Sequence, residues 1–207
     1  MLVDGRETRR RTQAERSAET QDRILRAALD CIETMGLQNA STHEIAREAG
    51  VSRGAMLHHF PTRAALLEAA FTMLLEEEAR RMDRFSESVA RDGSSINELV
   101  DFIWERYTGP LFHVTLDFLA LARVDDETLG AVIPGATAFA EDLNALWDKS
   151  LSGVKIPPDR KRALMNQTLF LIRGMAFQRI WRHEPGYFET VLSEWIIQLR
   201  DQLGLRA

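Results

Sequence analysis

Apolar residues recur at intervals of three and four along nearly the whole chain, the spacing that gathers them on one side of an α-helix. Ile24, Ala28, Cys31 and Met35 form one stripe, with Leu25, Leu29 and Ile32 beside it. This predicts a first helix from Thr12 or Thr20 to Met35, stopped by Gly36. Residues 41–60 read as two short helices joined at Gly50. Thr62 then begins a long helix through Leu66, Leu67, Ala70, Phe71, Leu74, Met82 and Phe85, with Glu76, Glu77 and Glu78 as a solvated face. Beyond a break at residues 92–95, helical stretches follow over 96–107, 110–123, 126–150, 159–182 and 187–203. Gly109-Pro110, Asp125-Asp126, residues 153–158 and Pro185-Gly186 separate them. With no alternating strand pattern, internal repeat or low-complexity tract, the chain reads as all-α, with about nine helices.

The short helix pair carries the sharpest local chemistry. Ser41 and Glu44 have the spacing of a capping box, so a helix is expected from Thr42. Ile45, Ala49, Val51, Met56 and His59 fall where two helices bury side chains against a third, and Ala46 is small where they must cross. Gly50 suits the turn, because only glycine takes a left-handed backbone without steric cost. Ser52 is a good N-cap, and Arg53, Gly54 and Ala55 fill the first turn of the second helix. Small residues there let a helix enter the DNA major groove, where Arg53 reaches a guanine edge or a phosphate. This is the layout of a helix-turn-helix over residues 42–61. The competing reading is an ordinary helical hairpin in a core.

Composition modifies this picture at one point. The 207 residues carry a net charge of −5, which is unusual for a DNA binder. Residues 1–70 hold ten arginines against ten acidic groups, so the remainder carries the whole negative charge. Phosphate binding must therefore come from locally placed arginines. Arg9, Arg10 and Arg11 belong to a polar segment, residues 1–11, that reads either as a basic arm along the phosphates or minor groove or as a solvated tail. The single Cys31 excludes an internal disulfide and any cysteine zinc cluster. No apolar run has the length of a membrane span and no signal-peptide core opens the chain, so a soluble cytoplasmic protein without membrane association is expected. His58 and His59, adjacent on one helix, point about 100° apart and do not chelate one ion. Asp125-Asp126-Glu127 lacks calcium-loop spacing and reads as a loop before a helix. There is no phosphate-cradling glycine loop, nucleophile elbow or zinc-protease motif, so no cofactor, metal or enzymatic activity is expected.

On Ile24-Leu-Arg-Ala-Ala28, Gly36, Thr42, Ile45-Ala46, Ala49-Gly-Val-Ser52, Gly54, His59-Phe60, Arg63 and Leu66, residues 20–67 resemble the DNA-binding domain of the tetracycline-repressor (TetR) family of bacterial transcription regulators. The resemblance implies a helix-turn-helix domain over residues 12–66 and a helical effector-binding and dimerisation domain over residues 67–207. It also implies a homodimer, paired through its last two helices, that binds double-stranded operator DNA and is released by a small apolar or amphipathic effector. Carried over residue by residue, Thr42 and Arg63 would bind phosphates and Ser52, Arg53, Gly54 and Ala55 would face the groove. His58 would point to the DNA, while His59 and Phe60 pack inward. Leu57 departs from the family, which usually has a tyrosine there. Leucine cannot make that phosphate hydrogen bond, a loss of about 1 kcal/mol. The expected function is a ligand-responsive regulator, a repressor rather than an activator, on a palindromic operator.

The C-terminal part is rich in aromatics interrupted by His113, Asp117, Asn144, Arg173 and Gln178. An apolar pocket with a few polar groups is what a ligand site requires. His113, Trp147, Arg173 and Phe177 are the candidate lining residues, with Asp117 the candidate acidic partner of Arg173. Phe170, Gly174, Phe177 and Trp181 on one helix, and Val191, Leu192, Trp195, Ile196 and Leu199 on the last, form two apolar stripes. They suit a four-helix interface between two copies or the completion of a monomer core. An alternative function is a helical small-molecule-binding protein or enzyme that no longer binds DNA.

Overall fold

The computed structural model describes residues 12–92 and 95–205, and these form nine α-helices and no strand. The first eleven residues, including the arm with Arg9, Arg10 and Arg11, lie outside the described residues. Helix α1 is Gln13–Met35, α2 Thr42–Glu48, α3 Arg53–His59 and α4 Arg63–Asp92. Helix α5 is Ile96–Tyr107, α6 Pro110–Ala122, α7 Asp126–Ser150, α8 Pro158–Gln178 and α9 Tyr187–Gln202. The chain divides into two compact units, one up to Ala70 and one from Phe71 onward. No helix of the described residues is long and apolar enough to cross a membrane.

Local chemistry sets most of the boundaries. Thr12 caps α1 in a reciprocal capping box with Glu15, and Ser95 does the same for α5 with Glu98. Gly36 closes α1 at a φ of 81°, and Gly186 opens α9 at a φ of 75°. Asp125 caps α7 through the backbone N–H of Thr128 at 2.9 Å, and the same pair holds the Asp125 carboxyl below the usual carboxylate range. The box expected at Ser41 forms only by half. Its Oγ accepts from the Glu44 N–H at 3.2 Å, but Arg47 engages the Glu44 carboxylate and the Ser41 N–H donates to the Asn39 carbonyl. Helix α8 is shorter than its periodicity suggested: it ends at Gln178, and Trp181 sits in the turn that follows.

In the first unit, α1, α2, α3 and the start of α4 close over Ile24, Ile32, Ile45, Met56 and Leu66, each at most 2% exposed. Each such burial is worth roughly 1.5–3 kcal/mol. Cys31 belongs to this core, and burial, followed by the charge of Glu48, raises its thiol pKa. In the second unit, Leu99, Val100 and Ile103 of α5 pack with Leu143, Leu146 and Trp147 of α7, Leu164, Leu169 and Ile172 of α8, and Leu192 and Leu199 of α9.

One expected surface residue is inside. Periodicity puts Glu78 on a solvated face with Glu76 and Glu77, yet it is only 7% exposed. Its carboxylate lies 3.8 Å from Arg106 of α5 and 3.2 Å from Arg81. Two arginines in reach allow a carboxylate to turn inward, where periodicity alone puts charge outward. Burial raises the Glu78 pKa, against the pull of Arg106 and Arg81. The folded chain thus keeps this proton where the unfolded chain has released it. The stability this contributes is full below the ordinary value of 4.5 and is lost as pH rises through the raised folded pKa. Glu78→Gln should therefore gain in melting temperature relative to the parent as pH rises from 4.5 to neutral. Parallel melting curves across that range would contradict the assignment.

Candidate functional site

Each unit holds one group of candidate functional side chains. In the first unit it is the opening turn of α3. Gly50 takes a φ of 63°, which swings the chain out of α2, and the Gly50 N–H donates to the Arg47 carbonyl at 3.1 Å. Ser52 then caps α3 by accepting from the Ala55 N–H at 3.1 Å. Met56 is fully buried and Phe60 nearly so, which fixes the inner side of the helix. Ser52, Arg53, Gly54, Ala55 and His58 are all exposed, and Leu57 is at the margin.

Arg53 makes no hydrogen bond or ion pair among the described residues. Nothing inside the protein requires glycine at position 54, since an added Cβ would meet only Ser52 Oγ at 4.0 Å. The turn therefore presents one unengaged guanidinium on a surface kept flat by glycine and alanine. Thr42 opens α2 and is half-buried. Arg63 departs from the picture of a free cation: it is half-buried and donates from Nη2 to the Leu37 carbonyl. His58 and His59 meet edge to face, with ring centroids 5.6 Å apart.

In the second unit, five helices line an open cavity of about 610 Å³. Phe71 and Leu75 of α4 and Tyr107 of α5 line it, with Leu111, Phe112, Thr115, Leu116 and Leu119 of α6. The remaining walls are Val132, Ala136, Phe139 and Ala140 of α7 and Arg173, Gly174 and Phe177 of α8. Arg173 donates from Nη2 to the Tyr107 hydroxyl at 2.7 Å, and its guanidinium lies 5.0 Å from the centre of that ring. The Thr115 hydroxyl oxygen is buried without a hydrogen-bond partner. Such an apolar enclosure with a few convergent polar groups has the size and character of a small-molecule site.

Of the side chains expected at a ligand site, the fold brings Arg173 and Phe177 to this cavity and takes three elsewhere. Trp147 is 1% exposed in the core of the unit. His113 and Asp117 do not line the cavity, because residues 111, 112, 115, 116 and 119 take the inner side of α6 and leave positions 113 and 117 on another side. The partner of Arg173 is the neutral Tyr107 hydroxyl in place of the expected Asp117. Tyr107 and Thr115 were not singled out by the sequence. Thr115, a lone hydroxyl amid the apolar residues of α6, was the available signal.

The two apolar stripes also divide. Phe170 and Trp181 are exposed at 66% and 58%, Phe177 is half exposed, and Gly174 is open to solvent. Leu192 and Leu199 face the core instead, which corrects their assignment to a partner surface: both are buried against α5 and α8. Ile196 is half-buried, and the Trp195 indole N–H donates to the Thr168 hydroxyl at 3.0 Å within the same chain.

Comparisons with known proteins bear on the family and the fold. The family model described as bacterial regulatory proteins, tetR family, matches residues 24–70. The chain is similar to the HTH-type transcriptional regulator CymR of Pseudomonas putida, at 30% identity over 198 residues that cover 94% of this chain and 96% of that protein. Among solved structures it is similar to a putative TetR-family transcriptional regulator of Mesorhizobium loti, with a TM-score of 0.71 at 15% identity over 90% of this chain and 97% of that one. It is also similar to the multidrug binding protein EbrR complexed with ethidium, with a TM-score of 0.61 at 26% identity over 87% and 98% of the two chains.

The turn geometry has a measurable consequence. A side chain at Gly50 meets no neighbour, so the cost of Gly50→Ala is backbone strain alone, about 1–2 kcal/mol. Urea unfolding of the full chain should report a loss of that size, and an unchanged midpoint would rule the left-handed turn out.

Proposed function

Because this chain belongs to the TetR family of bacterial regulatory proteins, we propose that it is a ligand-responsive transcription regulator acting as a homodimer on a palindromic operator. The observation that carries this reading is the opening turn of α3, where Ser52, Arg53, Gly54 and Ala55 stand exposed and Arg53 has no partner among the described residues. A helix N-terminus of that shape enters a major groove without steric conflict, and Arg53 then reads a guanine edge. Thr42 and Arg63 bind flanking phosphates, with Arg63 exchanging the Leu37 carbonyl for a phosphate oxygen. His58 adds a contact from the same helix. The operator lies in the bacterial nucleoid, so the protein works in the cytoplasm.

Dimerisation doubles a site that one short helix reads only in part, with half-sites about one DNA turn apart. Phe170, Phe177, Ile180 and Trp181 form the exposed apolar surface that supports pairing of two copies, with Gly174 allowing close approach. The cavity of the second unit takes a small apolar or amphipathic effector. Helix α4 continues from the first unit into the second, contributing Phe71 and Leu75 to that cavity. An effector that binds one arrangement of α4 more tightly shifts the population away from operator binding. The protein then acts as a repressor that its effector releases.

Two measurements test this. Binding to duplex DNA should weaken steeply with salt. Arg53→Ala should change sequence preference at a cost of about 1–3 kcal/mol, whereas Arg63→Gln should weaken all duplexes alike and lower the salt slope by about one. If neither substitution alters DNA affinity while both variants melt normally, the proposed contacts are wrong. In sedimentation, the parent should be a dimer at micromolar concentration and a Phe170→Glu, Trp181→Glu double variant a monomer with most of its operator affinity gone. A parent that sediments as a monomer would contradict the dimeric reading.

A further inference from the structure

We propose that the cavity of the second unit selects a small monoanion, a carboxylate on an aromatic or branched apolar body, held by Arg173 with Tyr107 and Thr115. The inference rests on the reading of this cavity as the effector site, and names its ligand class.

The argument is an inventory of donors and acceptors. A guanidinium carries five N–H donors in a planar fork. Arg173 spends one on the Tyr107 oxygen at 2.7 Å. That bond uses Tyr107 as an acceptor, so the phenolic hydrogen remains to be donated, and no acceptor for it occurs among the described residues. The Thr115 hydroxyl is buried with no partner at all. Three donor side chains thus line one cavity, and its described walls contain no carboxylate to receive them. A buried hydroxyl without a partner is costly, and at this cavity a bound acceptor would satisfy it.

Charge narrows the class. Arg173 is the only charged side chain among the described lining residues, and the rest of the wall is aliphatic, aromatic, small or hydroxylic. Such a wall screens charge poorly, so a cationic ligand is repelled and an anion attracted more strongly than in water. One arginine neutralises one negative charge. A second charge on the ligand would be left without a partner in an apolar enclosure, which disfavours phosphomonoesters and dicarboxylates. The planar fork of Arg173 matches the two oxygens of a carboxylate. Its side chain is itself largely exposed, which puts the anion towards the mouth and the apolar body inward against Phe112 and Phe139.

Arg106, half-buried in the same unit, shows the contrast. Arg106 has the Glu78 carboxylate at 3.8 Å, so its charge is answered within the chain. Arg173 is answered only by a neutral hydroxyl. Its guanidinium stacks on the Tyr107 ring, which orients the fork without neutralising it.

The test is calorimetric titration of the full-length protein with three probes of one shape: naphthalene-2-carboxylate, 2-naphthamide and 2-naphthylmethylammonium. The carboxylate is expected to bind about tenfold to a hundredfold more tightly than the amide, with the ammonium weakest. Arg173→Met should lower the carboxylate to the level of the amide and leave the amide unchanged. Thr115→Val, which keeps the shape, should weaken the carboxylate less. Thermal melts of each variant establish that it is folded. Equal binding of carboxylate and amide, or a preference that survives Arg173→Met, overturns the anion inference while leaving the cavity as an effector site. Failure of all three probes at millimolar concentration overturns the anion inference and the effector-site reading together.

Discussion

Helix α8 imposes the constraint on which the second unit depends, because it is apolar on more sides than one neighbour can cover. Leu164, Met165, Leu169, Ile172, Met175 and Ala176 are buried within the unit, and the Thr168 hydroxyl is satisfied by the Leu164 carbonyl and the Trp195 indole. A second side, with Arg173, Gly174 and Phe177, forms a wall of the cavity. Phe170 points to solvent. An apolar side of a helix is stable only where it meets protein, ligand or a second copy. The core answers the first side of α8, and the proposed effector and the proposed dimer answer the others.

The cavity follows from that arrangement. Close packing is the rule in protein interiors, and the open cavity of about 610 Å³ is where the helices of this unit depart from it. In the same region the buried Thr115 hydroxyl is left without a hydrogen-bond partner. Glu78 and Arg106 show that the unit does pair inward-facing charges elsewhere. Arg173 is the one charge among the described lining residues, and no lining carboxylate answers it, which is why it speaks about a ligand.

The first unit works with few groups. Its arginines and acidic residues balance, so no broad positive field draws it to DNA. Arg47 is engaged by Glu44, Arg26 by Asp22 and Arg63 by the Leu37 carbonyl. Arg53 stands apart from these at the opening of α3. In the proposed function, recognition rests on placing that one side chain well, and the cap at Ser52 and the turn at Gly50 place it.

The sequence by itself determined the helices, their order and the helix-turn-helix. Caps, prolines and turn glycines act over four or five residues, so Ser52, Gly50, Ser95 and Asp125 carry their instructions within a single turn of chain. The family was legible for the same reason, since its motif is local. Tertiary structure decided what lies far apart in the chain. It sent Glu78 inward to Arg106, joined Arg173 to Tyr107 across sixty-six positions and put Trp147 in the core. It also turned Leu192 and Leu199 away from any partner and left His113 and Asp117 off the cavity wall. The physical reason is rotational. Where apolar residues surround a helix, periodicity names no single inner face, and only the neighbouring helices decide which side chains meet.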